Sequence, residues 1–469
     1  MTILQGAYVF FINFFNCMGK FLTVVTDRDP EFATRESPLT ILLEHSLHIR
    51  AVYHIFVVIL LLLLCDTALA DLLENGKINI GITSVAKGFR YIGPSTLLWL
   101  LQLAVVTAFF PGLRLYAAGR KTIEKKPGDT TKYQSHINII NAKVKKIEKK
   151  QVTTIHPNLG KLFQLIRYSV FSIFFQFRFV MKIWTVAVAC SPRCHDGSRP
   201  LPSFSHFIYF LFAPTLLYRD HYPRTKSIRW CKVIFHFLEV VAIVFYYSLL
   251  FERFILPYWS DYGKEPQVEA GSVVRAMFAS VLPGVISFLC LFYCLLHAWL
   301  NAFAELLKFG DRLFYQEWWT ASQFSRYYRE WNRPVHLWLR DHIYIPLVPS
   351  VGRACSTIAV FTVSAAHEVV LALSFGFFYP VLLVLFNVVG MLMMPLTSTA
   401  GRLFPRTFNL IMWLFFFFGN GLLWSLYPME YYARKNCPAS EGDSFFVPKS
   451  WSCPEIVLKS DWKFQNPFN

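Results

Sequence analysis

The chain has 469 residues, of which 55% are hydrophobic and only 16% are charged, and phenylalanine alone occupies 47 positions. Ordinary soluble domains are about 45–50% apolar, so this composition excludes a typical soluble enzyme and indicates a protein that crosses a lipid bilayer many times. The formal net charge is +17. Because the basic residues stand in loops between apolar runs, they indicate membrane topology and contacts with anionic head groups or substrates, and we expect no nucleic-acid partner.

Apolar runs, taken in chain order, predict an all-α polytopic membrane protein with about nine transmembrane helices. A spanning helix needs about 20 mostly apolar residues. Eight runs reach this length, and the shorter run 204–218 is counted as a ninth crossing. The predicted crossings are 51–70, 94–118, 165–190, 204–218, 231–251, 273–301, 354–376, 377–397 and 408–428.

Loop charges orient the predicted helices. Loop 119–161 is strongly basic and is placed in the cytoplasm by the positive-inside rule. Loops 219–230 and 302–353 are basic on balance, and loop 252–272 is rich in acidic residues. The sides alternate as required if 204–218 crosses. The N-terminus is then cytoplasmic and the C-terminus lumenal.

The predicted topology divides the chain into three parts. Residues 1–50 form a cytoplasmic or interfacial segment, 51–428 the membrane domain, and 429–469 a lumenal tail. Most of the ten cysteines lie in apolar runs, where we expect them to be small apolar fillers. Cys437 and Cys453 instead flank a polar, proline-containing stretch of the tail, which suits a disulfide in an oxidising lumen.

Two ionisable residues, His367 and Glu368, interrupt the predicted helix 354–376. Counted from Arg353 at its cytoplasmic edge, His367 lies about 20 Å deep at about 1.5 Å per residue, past the middle of the bilayer. Poor hydration there disfavours the cationic imidazole, so His367 can act as a general base. The alternative is a histidine that only bonds a neighbouring helix, and position alone does not decide between them.

Aromatic residues dominate FYQEWW at 314–319 and YYREWN at 327–332. Phe314, Trp318 and Tyr328 recur at helical spacing. Composition alone favours an amphipathic helix on the cytoplasmic face with its rings in the membrane interface. Three further histidines have no identifiable partner and are interpreted as structural: His54, His297 and His336.

These segments resemble the sterol O-acyltransferase branch of the membrane-bound O-acyltransferases. FYQEWWT resembles the branch motif FYxDWWN, AAHEV at 365–369 resembles the catalytic histidine segment, and YREWN resembles YRxWN. HIRAVYHIF, YFLFAPTLLYRDHYPR, SFGFFYPVLLVLF, and EYYARKNCP with a later WSC fit the same branch, so the resemblance covers nearly the whole chain. It implies the membrane-bound O-acyltransferase fold with nine spanning helices, and it supports the Cys437–Cys453 disulfide.

Three positions depart from the family pattern. Glu317 stands in place of Asp, Thr320 in place of Asn, and Val369 in place of the Tyr that usually follows His-Glu. His367 and Asn332 are retained. The resemblance therefore implies an active enzyme, while the departures leave substrate preference and rate open.

The reaction implied is transfer of a long-chain acyl group from acyl-CoA to the 3-hydroxyl of a sterol such as cholesterol, in the endoplasmic reticulum membrane. His367 would be the general base. Asn332, with Trp331, would position the acyl-CoA or donate to the developing oxyanion. We expect no cofactor and no metal, because acyl-CoA is a co-substrate, and the resemblance implies a homodimer or homotetramer.

The remaining site residues are assigned to acyl-CoA binding. Arg329, Tyr344 and Arg353 lie at or near the cytoplasmic boundary, where arginines can pair with CoA phosphates. The aromatic motif would shape this site and brace the chain without taking part in bond chemistry. Its members are Phe314, Tyr315, Glu317, Trp318 and Trp319.

Other functions remain open. A diacylglycerol O-acyltransferase shares the scaffold and the histidine, but the YRD stretch and the paired cysteines favour the sterol branch. A catalytically silent lipid-binding relative is opposed by the intact His367 and Asn332. A channel or transporter fits less well, because the chain lacks paired, Gly/Pro-broken helices in two matching halves.

Overall fold

The computed structural model describes residues 32–78, 82–90, 92–125, 170–196, 200–375, 379–380, 388–439 and 443–457. This part of the chain is mostly helical, which confirms the predicted fold class. The helices are α1 (Pro38–His45), α2 (Leu47–Asn75), α3 (Ile82–Phe89), α4 (Ile92–Lys125), α5 (Val170–Asp196), α6 (Phe204–Phe212), α7 (Trp230–Phe254), α8 (Leu256–Trp259), α9 (Ala270–Ala279), α10 (Val281–Phe292), α11 (Leu300–Leu306), α12 (Phe324–Trp331), α13 (Arg333–Leu339), α14 (Ile345–Phe375), α15 (Gly390–Leu403) and α16 (Pro405–Asn436).

Shorter elements connect these helices. π-Helical segments join α10 to α11 (Tyr293–Trp299) and α13 to α14 (Arg340–Tyr344), and 3-10 turns cover Trp318–Thr320 and Lys449–Trp451. Strands β1 (Gln267–Glu269) and β2 (Glu455–Val457) pair in parallel, with Val268 opposite Ile456. The described part of this all-α protein therefore contains one short two-stranded sheet, which ties the C-terminal tail to the loop after α8.

The described helices include six that are long and apolar enough to cross a membrane. They overlap the predicted crossings 51–70, 94–118, 231–251, 273–301, 354–376 and 408–428. The corresponding stretches are Leu47–Asn75, Ile92–Ala118, Trp230–Trp259, Ala270–Leu306, Arg333–Ala365 and Pro405–Asn436. The multi-pass architecture is confirmed. The count of nine is not confirmed, since 165–190 and 377–397 extend outside the described residues and 204–218 contains a helix of only nine residues.

The spanning helices expose their apolar side chains. In α2 only 11% of the most apolar window is buried, and Leu62 and Leu73 are 63% and 76% exposed. Such a helix cannot be the buried core of a soluble domain. Its outer surface needs lipid as its solvent.

The predicted crossing 204–218 is wrong. The segment forms α6, which has nine residues and is about 13.5 Å long at about 1.5 Å per residue, less than half of a hydrocarbon core of about 30 Å. Its C-terminal carbonyls are held inside the protein by two basic side chains of α5. Lys182 Nζ donates to Phe210 O and Ala213 O at 2.5 and 2.7 Å, and Arg178 Nη2 donates to Phe212 O at 3.1 Å.

Because the alternation of loop charges requires a crossing at 204–218, the charges alone do not orient the helices. The contacts of the folded chain group the loops independently. Arg229, just before α7, pairs with Glu36 and Glu305, whereas the β1–β2 sheet follows the other end of α7. Loops 219–230 and 302–353 therefore share one end of α7 with the N-terminal segment, and loop 252–272 shares the other end with the C-terminal tail.

The long helix α14 breaks at Gly352, whose φ of 79° and ψ of 171° are non-helical. A positive φ of this size is easily adopted only by glycine. The chain from residue 353 onward is therefore a separate helical segment, which carries the His367 backbone. The segment begins at Arg353, the residue from which the depth of His367 is counted.

Candidate active site

The FYQEWW segment at 314–319 lies in the protein core and is irregular apart from one 3-10 turn. Phe314, Tyr315 and Trp318 are 2%, 0% and 1% exposed. The prediction of an amphipathic helix on the membrane surface is therefore wrong for this segment. Its rings are enclosed by neighbouring helices, so the helical spacing of its aromatic residues is coincidental.

Aromatic packing fixes the position of Trp331, the residue before Asn332. The Trp331 ring stacks on Phe288 of α10 at 4.8 Å between centroids, with an interplanar angle of 8°. Trp318 meets Trp331 edge-on at 5.0 Å and Phe292 at 5.1 Å. Each such pair stabilises the fold by about 0.5–1.5 kcal/mol beyond its buried area. The motif thus braces the end of α12 against α10.

Hydrogen bonds join the two signature segments into one unit. Gln316 N donates to Glu330 O at 2.8 Å, and Arg333 N donates to Phe314 O at 2.9 Å. The Arg333 guanidinium also donates to Gln316 Oε1 at 3.0 Å. FYQEWW consequently runs beside the α12–α13 junction and holds its backbone in place.

The two departures within the motif lie at exposed positions. Glu317 is exposed, and its carbonyl accepts hydrogen bonds from the Thr320 amide and hydroxyl at 3.0 and 2.8 Å. Thr320 is also exposed and accepts a bond from Arg326 Nη2 at 3.2 Å. The neighbouring Trp319 is half-buried, and its carbonyl accepts a bond from Asn409 Nδ2 at 2.9 Å. The two changes therefore alter exposed positions of the motif and leave its buried aromatic positions intact.

Asn332 links α12 to α13 in an extended conformation, with φ of −142° and ψ of 85°. Its Oδ1 accepts the Val335 amide at 3.3 Å and caps α13. Because the oxygen is committed to this cap, the amide nitrogen faces away with its two donors. Among the described residues that nitrogen has no hydrogen-bond partner. Asn332 is thus held by its oxygen and can donate with its nitrogen, as an oxyanion ligand must.

The structure places the predicted acyl-CoA residues at separate points of one continuous stretch. Arg329 is exposed at the end of α12, Tyr344 is half-buried at the end of the second π-helical segment, and Arg353 is exposed just after the Gly352 break. Among the described residues, no hydrogen bond or ion pair joins these three side chains, and neither arginine has an ion-pair partner. Both guanidinium groups are therefore available to an anionic ligand.

The helix of His367 is brought against α12. The side chains of His367 and Glu368 lie outside the described residues, but the His367 backbone is in α14. Tyr328 of α12 packs edge-on against Phe361 at 5.1 Å between ring centroids, and Phe361 precedes His367 by about 9 Å along the helix axis at about 1.5 Å per residue. Burial raises the pKa of Tyr328 to about 12, so its hydroxyl stays protonated at neutral pH.

His297, for which the sequence shows no partner, has two hydrogen-bond partners in the structure. His297 is 3% exposed. Its Nδ1 lies 2.7 Å from the hydroxyl of Tyr315 in the motif and 3.2 Å from Ser37 Oγ, and Ser37 Oγ lies 2.7 Å from the same hydroxyl. Ser37 belongs to the distant N-terminal segment, so no local sequence signal could have found this contact. His297 thus connects the aromatic motif to a spanning helix.

The predicted disulfide is present. Cys437 and Cys453 are bonded, with their Cα atoms 6.3 Å apart. Asn436 Nδ2 donates to Ser260 O and Tyr262 O at 3.0 and 2.8 Å. The disulfide and these bonds hold the tail beside the loop after α8, at the end of α7 that is remote from Asn332.

Comparison with known proteins agrees with this geometry. The profile of the membrane-bound O-acyltransferase family matches residues 89–428. The chain is 33% identical to sterol O-acyltransferase 1 of Chlorocebus aethiops over 93% of its length and 80% of that protein. It is 34% identical to sterol O-acyltransferase 2 of Homo sapiens over 90% of its length and 80% of that protein. The chain belongs to the membrane-bound O-acyltransferase family and is an acyl-CoA-dependent acyltransferase.

Proposed function

We propose that this enzyme transfers a long-chain acyl group from acyl-CoA to the 3-hydroxyl of a sterol such as cholesterol, giving a steryl ester and free CoA. The observation that carries the proposal is the similarity to sterol O-acyltransferases over at least 90% of the chain. The braced Asn332 and the contact between Tyr328 of α12 and Phe361 on the helix of His367 agree with it. Diacylglycerol remains the acceptor to be tested against the sterol.

In the proposed mechanism His367 takes the proton of the sterol hydroxyl as the sterol oxygen attacks the thioester carbon. General-base assistance of this kind contributes about 10²–10⁴ in rate. Asn332 donates from its amide nitrogen to the developing oxyanion. The thioester bond then breaks, the new ester bond remains, and the imidazolium returns its proton to the leaving thiolate of CoA.

Acyl-CoA would approach from the end of α7 at which Arg329 and Arg353 are exposed. Guanidinium groups suit phosphate because they donate through a planar fork. Burial of the base and the thioester among apolar helices limits the competing hydrolysis by water.

We place the end of α7 near Arg329 and Arg353 in the cytoplasm and the disulfide-bonded tail 429–469 in the lumen of the endoplasmic reticulum. Residues 51–428 are then the catalytic domain, and 1–50 are a cytoplasmic or interfacial segment. We further propose that the enzyme is a homodimer or homotetramer.

A competition assay tests the acceptor. Purified protein receives labelled oleoyl-CoA together with equal amounts of cholesterol, diacylglycerol and a long-chain alcohol. We expect steryl ester as the main product. Mainly triacylglycerol would reject the sterol as acceptor and leave the assignment of the family and of the base untouched.

Substitution tests the base. His367→Ala is expected to abolish ester formation by folded protein. Thr362→Ala is the matched control, since Thr362 is exposed on the same helix and, within the described part of the chain, its hydroxyl bonds only to Ile358 O at 2.9 Å. Normal turnover by His367→Ala would remove His367 from the mechanism.

A further inference from the structure

A cavity of about 40 Å³ lies beside Arg333, the residue that follows Asn332. It forms where the N-terminal segment, the turn after α6, the loop before FYQEWW and the start of α13 meet. A buried water needs roughly 10–15 Å³, so the space accommodates a group larger than one water molecule. Most of the wall is apolar, including Phe309 and Leu337, and three charged side chains line the rest: Arg35, Asp311 and Arg333.

These three groups leave the cavity with an excess of positive charge. Arg35 Nε lies 3.3 Å from Asp311 Oδ1, which also accepts the Leu313 amide at 3.2 Å. Arg333 bonds to the neutral amide of Gln316, and no carboxylate of the described residues lies at salt-bridge distance from it. Two guanidinium groups therefore face one carboxylate in a largely apolar wall.

The unused donors of Arg333 point to a ligand. A guanidinium has five N–H donors, and the Arg333 side chain gives one hydrogen bond, to Gln316, among the described residues. That bond fixes the orientation of the fork, and the Arg333 amide is fixed as well by Phe314 O at 2.9 Å. An anion in the cavity can accept from the donors that Arg333 leaves unused, and such a charge-assisted hydrogen bond is stronger than one between neutral groups.

We propose that this cavity binds a phosphate group of acyl-CoA, with Arg333 and Arg35 as its ligands. The choice of CoA as the phosphate carrier rests on the proposed function, whereas the preference for phosphate rests on the two guanidinium groups. Arg35 connects the N-terminal segment to substrate binding.

Direct binding tests the proposal without any acyl transfer. Wild-type protein, Arg333→Gln, Arg333→Lys and Arg35→Gln are titrated with CoA, with pantetheine, which lacks phosphate, and with inorganic phosphate, in neutral detergent. Arg402→Gln is the control, because Arg402 is exposed and its side chain donates to Ser398 O at 2.9 Å. The CoA titration is repeated in nanodiscs of neutral and of anionic lipid.

We expect Arg333→Gln to raise the Kd for CoA about tenfold, as expected for a lost charge-assisted hydrogen bond. Arg35→Gln acts in the same direction, and Arg333→Lys retains part of the affinity. Pantetheine binds all variants alike, inorganic phosphate competes with CoA only where Arg333 is present, and Arg402→Gln matches wild type. In the acyl-transfer assay Arg333→Gln raises KM for acyl-CoA and leaves KM for the acceptor unchanged.

Equal CoA affinity in folded Arg333→Gln and wild type would overturn the proposal. A difference in CoA affinity between Arg333→Gln and wild type that appears only in anionic nanodiscs would also overturn it, since that result assigns the cavity to a lipid head group. Folding of each variant is checked by its elution profile and thermal midpoint. Arg333-dependent CoA binding by a protein that makes no steryl ester would support the cavity and reject the acceptor, so the two proposals fail separately.

Discussion

At the scale of single residues, Asn332 combines two roles that different substitutions can separate. The oxygen of its amide caps α13 through the Val335 amide at 3.3 Å, and its nitrogen is the donor that we assign to the oxyanion. Aspartate keeps a capping acceptor and loses the donor, whereas alanine loses both. The pair of variants therefore distinguishes a structural cap from a contribution to catalysis.

We expect Asn332→Asp to retain wild-type thermal stability and to lose most acyl transfer. Asn332→Ala should lose activity and also about 1 kcal/mol of stability, the usual effect of removing an N-cap. Thermal unfolding and kcat measured on the same preparations check both effects. Full activity in Asn332→Asp would show that no donor at this position is needed.

Glu305 is the buried acceptor of an ion-pair network that was not visible in the sequence. Its carboxylate is 0% exposed and accepts Arg229 Nε and Nη2 at 2.8 Å each. It also contacts Arg312, which is itself 2% exposed. Glu36 of the N-terminal segment pairs with both arginines. The network thus joins the N-terminal segment, the loop before α7 and the region after α11.

Glu305→Gln is expected to destabilise the protein by about 3–5 kcal/mol, because it leaves Arg312 buried without its full counter-charge. Asp261→Asn is the control. Asp261 forms an exposed ion pair with Lys264 at 2.6 Å, and pairs of this kind contribute little to stability. Chemical or thermal denaturation measures both variants, and a stable Glu305→Gln protein would show that the network is not structural.

At the scale of whole elements, α10 and α16 approach each other so closely that glycine is required at the contact. A Cβ built on Gly421 would lie 2.5 Å from Val281 Cγ2 and 3.0 Å from Val281 Cα. Gly284 approaches α16 from the other side, and its Cβ would lie 2.9 Å from Asn420 O. Phe288 and Phe292 lie on the same helix, α10, so this contact helps to set the frame of the aromatic cluster.

Gly421→Ala is therefore expected to cost about 1–3 kcal/mol of stability, the usual penalty of overpacking. Gly419→Ala is an unusually close control, because Gly419 lies two residues earlier on the same helix and a Cβ there meets no atom within 4 Å. We expect Gly419→Ala to be neutral or slightly stabilising. Equal thermal midpoints for the two variants would contradict the close helix contact.

At the scale of the whole molecule, the proposed orientation places the Cys437–Cys453 disulfide and the β1–β2 sheet in the lumen. A C-terminal epitope tag should be protected from protease in sealed microsomes, and an N-terminal tag should be digested. Digestion of the C-terminal tag in sealed vesicles would contradict the proposed orientation.

Cys437→Ser should lower the thermal midpoint and leave acyl transfer intact, because the disulfide lies at the far end of α7 from Asn332. Removing a disulfide costs about 2–5 kcal/mol in small secreted domains, and we expect less here because the spanning helices hold the fold.

The sequence by itself determined that the protein is a multi-pass membrane protein, which helices are long and apolar enough to span, and which segments mark its family. Hydropathy and short motifs are local properties, so neighbouring residues suffice to show them. Tertiary structure decided that α6 does not cross, because an apolar run facing lipid and one facing other helices have the same composition. It also decided the burial of FYQEWW, the partners of His297 and the meeting of Arg35 with Arg333, since residues far apart in the chain become neighbours only when the helices pack.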